Sequence, residues 1–380
     1  MKITVAIDSF KGSLTTFQAG EAARVGINKV FPDAEVQVCP LADGGEGTVA
    51  AIVSATGGEM QKITVTGPLG KPVVAEYGII RDSKTAIIEM SAAAGITLVA
   101  PSERDPMKTT TYGVGEMIAD AIGKGCREFI VGIGGSATND GGIGMLTALG
   151  FSFLDKDGNA LDGYGADLEK IAEISTVGAL GEIGECRFHI ACDVKNPLCG
   201  ELGCSAIYGP QKGATPETVK LMDGWLGNYA KLTKAVLPQS DENYPGSGAA
   251  GGLGFAFMSY LGGTLESGIE LVMSATGLEA HISDSDIVVT GEGRLDGQSA
   301  MGKAPVGVAR LAKKYGKPVV AFAGCVTDDA GEVNKEGIDA FFPILRAPTT
   351  LEAAMDIENA KVNLASTAEQ AMRLIGAFMK

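Results

Sequence analysis

Short apolar runs of strand length alternate with amphipathic stretches at both ends of the chain. "KITVAID" (2–8) reads as a strand, residues 16–31 as a helix, "EVQVCPL" (35–41) as a strand and residues 46–56 as a second helix. The rhythm returns near the C-terminus with "DIVVTGEG", the helical "PVGVARLAKKYG", "KPVVAFAG", "IDAFFPI" and a final helix over about 351–379. Such βαβα alternation predicts a mainly parallel sheet flanked by helices, to which both chain ends contribute.

The middle of the chain has a different pattern. "ITVTGPLGKPVVAEYGII" and "TAIIEMS" read as antiparallel strands, followed by helices, the strand "EFIVG" and the strand-like "RFHIACDV". The Gly-Pro turn at 67–68 and the polar "SDSD" at 283–286 mark the ends of this region. The expectation is an α/β protein of two domains: a discontinuous one from 1–67 and 285–380, and an inserted mixed α/β domain from 68–284. At 380 residues with 45% hydrophobic content, the chain is long enough for two cores.

Composition narrows the function classes. The net charge of −15 and the scattered basic residues argue against nucleic-acid binding, since phosphate backbones would be repelled. No run approaches the ~18 apolar residues of a membrane span, and the N-terminus enters a strand pattern at once, so a cytoplasmic location with no membrane partner is expected. Seven cysteines without CxxC spacing suit reduced thiols. With only His189 and His281 present, His-based triads and His-ligated metal sites have few candidates. Glycine, at 54 residues, far exceeds its usual share and clusters where strands end, which is loop chemistry.

Five such loops carry candidate chemistry. In "VAIDSFKGSLT" (5–15), Asp8 could hold a cation or a hydroxyl and Lys11 an anionic group, while capping of the next helix by Asp8 or Ser9 is the alternative. "LADGGEGT" (41–48) puts Asp43 and Gly44 between a strand and a helix start. "GIGGSATNDGGIG" (132–144) is small enough to wrap a phosphate chain, through Gly134, Gly135, Ser136 and Thr138. "ACDVKNPLCG" places Asp193 at a strand end, followed by Lys212 in "YGPQKGAT". "VVTGEGRLDGQSAMGKAP" supplies Glu292, Arg294 and Asp296.

Residues 297–303 also read G-x-x-x-x-G-K, but Ala304 replaces the hydroxyl residue of a phosphate loop. "GSGAAGG" (246–252) matches G-x-G-x-x-G without a preceding strand, and is expected to be a flexible glycine loop. Acidic groups, lysines, glycine loops and no obvious nucleophile together describe magnesium-assisted phosphoryl transfer to a small polar substrate.

The signatures "IDSFKGSLT", "LADGGEGT", "GIGGSATNDGG", "ACDVKNPL", "YGPQKGAT" and "TGEGRLDGQS" resemble, in order and across essentially the whole chain, those of the bacterial glycerate kinase family. Met301 departs from that resemblance, standing where glycine is expected. The resemblance implies two α/β domains with an active site in the cleft between them, and ATP- and Mg²⁺-dependent phosphorylation of D-glycerate, at the 2-hydroxyl, by a monomer or homodimer. It assigns Asp193 as general base, with Lys11 and Asp296 as further catalytic residues. Asp8, Ser9, Asp43, Gly44 and Arg294 would bind substrate. Gly134, Gly135, Ser136, Thr138 and Lys212 would bind nucleotide phosphates, and Glu292 and Asp296 the metal, with either of these two as the alternative base. Phosphorylation at the 3-hydroxyl, another small-molecule enzyme and a non-catalytic metabolite sensor are the alternatives.

Overall fold

The computed structural model describes residues 1–379. Among them the strands are β1 (Lys2–Ile7), β2 (Glu35–Val38), β3 (Glu59–Thr66), β4 (Pro72–Ile80), β5 (Thr85–Glu89), β6 (Glu128–Gly132), β7 (Ser152–Leu154), β8 (Glu173–Ser175), β9 (Arg187–Ala191), β10 (Thr264–Glu266), β11 (Ile287–Leu295), β12 (Val319–Val326) and β13 (Ala340–Pro343). The chain divides into two units, one formed by Met1–Asp43, Ala50–Thr56 and Val272–Lys380, the other by Gly44–Val49 and Gly57–Leu271.

In the first unit the sheet order is β13-β12-β11-β1-β2, with every pairing parallel. Parallel strands covered on both faces need continuous apolar runs, and "TVAI" and "IVVT" supply them. Val5, Ile7, Val289 and Phe322 meet Leu364 and Met372 of the helix Ile357–Phe378 in the core. The helix Thr16–Asn28 begins at the N-cap Thr15, which shares a capping box with Gln18. The expected long C-terminal helix is two helices, Leu351–Met355 and Ile357–Phe378, separated at Asp356.

In the second unit the order is β10-β9-β6-β5-β4-β3. β3, β4 and β5 pair antiparallel, and the others parallel. Its core holds Phe129 stacked on Phe188 at 4.7 Å, with Tyr229, Phe255 and Phe257 nearby in the same cluster.

The units part near Thr56 and Leu271, not at Gly67 and Asp284. Strand β3 pairs with β4 along its whole length, which draws residues 59–66 into the second sheet. Conversely, Ser285 shares a hydrogen bond with Thr4 of β1, and Tyr315 donates to Glu279, so the segment before β11 joins the first unit. None of the seven cysteines is paired. No described helix is long and apolar enough to cross a membrane.

Candidate active site

Parallel strands all end on one side, so the loops leaving β1, β11, β12 and β13 gather at a single edge of the first sheet. They enclose a cavity of about 340 Å³. Its charged lining consists of Asp8, Lys11, Asp43, Glu292, Arg294, Asp296 and Lys303, and its apolar lining includes Phe10, Ile344, Leu345, Leu351, Ala354 and Met355. Thus the first and last signature loops, far apart in sequence, come together through the β1–β11 pairing, in which Ile7 lies beside Gly291.

Asp8 follows β1 directly, and its backbone N–H continues the ladder to Gly291 O at 2.9 Å. Neither Asp8 nor Ser9 caps a helix, because the next one starts only at Thr16, behind its own cap, Thr15. Instead a tight turn forms, with Phe10 N donating to Leu14 O (2.8 Å) and Leu14 N to Phe10 O (3.1 Å), and Lys11 lies within it. The Lys11 ammonium stands 3.4 Å from Asp43 Oδ2. Asp43 does not follow a strand directly; it lies in the irregular segment after β2, tied down where Leu41 N donates to Thr16 Oγ1 (2.8 Å).

Glu292 and Arg294 belong to β11 itself, not to the loop after it. Asp296 organises that loop, accepting from Gln298 N (3.0 Å) and Ser299 N (3.2 Å). It also lies 3.4 Å from Arg294 Nε and 3.8 Å from Lys303 Nζ. The Ser299 hydroxyl lies between Glu292 and Asp296, within hydrogen-bond reach of both, so the two carboxylates are linked through one side chain. Ser299 is a site residue that the sequence reading passed over; its Asp-x-x-Ser spacing was the available signal. The apolar lining was missed as well, since it comes from segments that look like ordinary core.

Four carboxylates against three cations leave this cavity short of positive charge. Burial, and then the charge of Asp43, push the Asp8 carboxyl up to about 7. Glu292 is also raised, chiefly by burial. Lys11 is held above its ordinary range, first by Asp43. Among the described residues no three metal-ligating side chains are preassembled. The donor set still fits magnesium, which needs only one or two carboxylates when it arrives with phosphates and water. A cation there would offset the charge that now burdens Asp8 and Glu292.

The second unit holds the other signatures. In the loop after β6, Gly134 and Gly135 are exposed, but Ser136, Thr138, Asn139 and Asp140 are buried. Lys212 is buried beneath them, donating to Ser136 Oγ and Thr138 O, both at 2.7 Å. Burial lowers its pKa to about 8. Ser136, Thr138 and Lys212 therefore face inward and shape the loop, whereas an open phosphate cradle was expected of them. Asp140 does similar work, accepting from Thr111 N and Oγ1 at 2.7 Å.

The segment 246–252 is a packing device, not a flexible loop. Gly251 sits at φ +69° with Thr138 O only 2.1 Å from where a Cβ would stand, and its carbonyl accepts from Gly141 N. Gly44 is likewise pressed against Ala191, 2.5 Å from its notional Cβ. Asp193 lies exposed, just beyond the end of β9, and accepts from Gly268 N at 3.1 Å. His189 pairs with Glu266 across β9 and β10 (Nδ1 to Oε1, 2.6 Å), a structural contact.

Residues 3–376 match the model of the glycerate kinase family. The chain is 47% identical to a glycerate 2-kinase of Escherichia coli K12, over 99% of this chain and 100% of that one. It is 46% identical to a glycerate kinase of Haemophilus influenzae, over 99% of each. A crystal structure from Salmonella typhimurium LT2, described as that of a putative glycerate kinase 2, superposes with a TM-score of 0.91 at 45% identity, covering 100% of this chain and 99% of that chain.

Proposed function

The chain belongs to the glycerate kinase family, and from that premise we propose that the first-unit cavity carries phosphoryl transfer from ATP to the 2-hydroxyl of D-glycerate. The protein is an ATP-dependent glycerate kinase, and its product is 2-phosphoglycerate. One observation supports the cavity as the place of reaction: carboxylates and cations converge at the carboxyl ends of adjacent parallel strands. Phosphoryl transfer asks for positioning and charge neutralisation of this kind.

Lys11 and Arg294 are the proposed counter-charges for the moving phosphoryl group and the glycerate carboxylate, with Asp8, Ser9 and Asp43 orienting the substrate. Glu292 and Asp296 would hold magnesium, which when bound draws negative charge off the phosphate oxygens. Asp193 is the proposed acceptor of the hydroxyl proton, its carboxylate oriented by the Gly268 amide. Asp8 is the second candidate, because a buried acid whose pKa stands at about 7 is matched to proton exchange near neutral pH. Of the loop after β6, the exposed Gly134 and Gly135 are the part proposed to meet a phosphate. Unpaired cysteines support a cytoplasmic setting.

The test is ADP release on adding D-glycerate, with the product read by phosphorus NMR. A 2-phosphoglycerate signal is expected. A 3-phosphoglycerate signal would overturn the regiochemistry, and absence of ADP release would overturn the kinase reading.

A further inference from the structure

The cavity lining is of two chemical kinds, and only one is accounted for by charge. Lys11, Arg294 and Lys303 supply its cations. Phe10, Ile344, Leu345, Leu351, Ala354 and Met355 supply apolar surface. The short helix Leu351–Met355 forms much of this wall. Positions 351, 354 and 355 share one helical face by their three- and four-residue spacing, and all three line the cavity.

The helix is held in place by specific bonds. Its N-cap is Thr350, whose Oγ1 accepts from Ala353 N at 3.2 Å. At its other end Asp356 caps the next helix, accepting from Asn359 N at 2.9 Å. Met355 reaches across to the turn around Lys11, its Cε lying 2.8 Å from where a Gly12 Cβ would stand. Yet Leu351 remains 78% exposed. A leucine left open on a cavity wall gains apolar contact when a ligand covers it.

D-Glycerate, a short acid bearing two hydroxyls, has no apolar face to offer this wall. Among the reactants only the purine base of the nucleotide does. We propose that these apolar residues form one end of the cavity, the adenine pocket: the base lies against Phe10, Leu351, Ala354 and Met355, with the phosphates directed toward Lys11, Arg294 and Lys303 at the charged end. The volume of about 340 Å³ falls within the range of small-molecule sites, ~300–1,000 Å³. An aromatic ring and a methionine are suitable partners for a purine, giving offset stacking and polarizable contact. The inference rests on the ATP-dependent reading above and adds where the base is held.

Two variants test it, with ADP and inorganic pyrophosphate as probes in magnesium-containing buffer. Ala354→Trp fills the apolar end, and Leu351→Asp charges an exposed position whose replacement leaves the core intact. Both are expected to weaken ADP binding by at least ~10-fold, about 1.4 kcal/mol, and to raise KM for ATP similarly. Pyrophosphate affinity and KM for D-glycerate should change less than about twofold, because the charged end is untouched. Unchanged ADP affinity in folded Leu351→Asp and Ala354→Trp, or a rise in KM for D-glycerate alone, would overturn the adenine assignment while the kinase reading stands. Failure of the unmodified protein to bind ADP or to release it with D-glycerate would overturn the kinase reading itself. Should Ala354→Trp fail to fold, Leu351→Asp alone decides.

Discussion

Asp8 carries a folding cost that the reaction can use. Its carboxyl titrates near 3.8 in the unfolded chain and at about 7 in the folded one, raised by burial and by Asp43. Between those values the unfolded chain has released the proton and the folded chain retains it, so stability falls as pH rises through this window, and the cost is complete above about pH 7. At ~1.4 kcal/mol per pKa unit it amounts to a few kcal/mol. Asp8→Asn is therefore expected to raise Tm at about pH 8 by several degrees, with the gain shrinking toward about pH 5, while ADP release falls at least ~100-fold. Equal Tm values for the two proteins at about pH 8 would refute this reading of Asp8. Asp193→Asn gives the complementary result. Asparagine can still accept from Gly268 N, so Tm should hold, while turnover drops at least ~100-fold. Near-normal turnover would transfer the base role to Asp8. Spacing alone singled out the acids and lysine that line the cavity, because their chemistry is local. It did not show that Lys212 and Thr138 are buried, since nothing in "YGPQKGAT" or "GGSAT" signals that the two segments turn inward and bond to each other.

At the scale of elements, the strands were legible because each is an apolar run closed by glycine or a polar residue. The boundary at residue 56 was not, since it depends on β3 finding β4 as its partner. The break at Asp356 was hidden for another reason: helical periodicity continues across it, and only the cap turns the chain. That break positions Leu351, Ala354 and Met355 on the cavity. Asp356→Ala should cost about 1 kcal/mol through the lost cap, seen in chemical denaturation, and should weaken ADP binding as the short helix loosens. A normal ADP affinity would show that the cap does not position the wall. Gly251 makes a stricter case. An alanine there would be both in the left-handed region and against Thr138 O, so Gly251→Ala is expected to cost about 3 kcal/mol or more and to distort residues 134–142. Full stability in urea would mean the segment can shift, contrary to its packing.

At the scale of the whole molecule, two apolar clusters of the described residues stand apart. One gathers Val5, Ile7, Val289, Phe322 and Leu364, the other Phe129, Phe188, Tyr229 and Phe257, and no residue belongs to both. Chains with more than one core commonly depart from two-state unfolding. Every residue lining the candidate cavity belongs to the first unit. A ligand stabilises what it binds in the folded form by RT ln(1 + [L]/Kd), so magnesium and ADP should act on the first cluster directly. Hydrogen exchange monitored by mass spectrometry provides the readout. Added ADP and magnesium are expected to slow exchange over residues 8–14, 292–303 and 344–355, and to leave the buried β6 loop at 136–140 unchanged, since Lys212 and Gly251 already fix it. Protection confined to 136–140 would relocate nucleotide binding to the second unit and restore the phosphate role that the glycine pattern of that loop suggested.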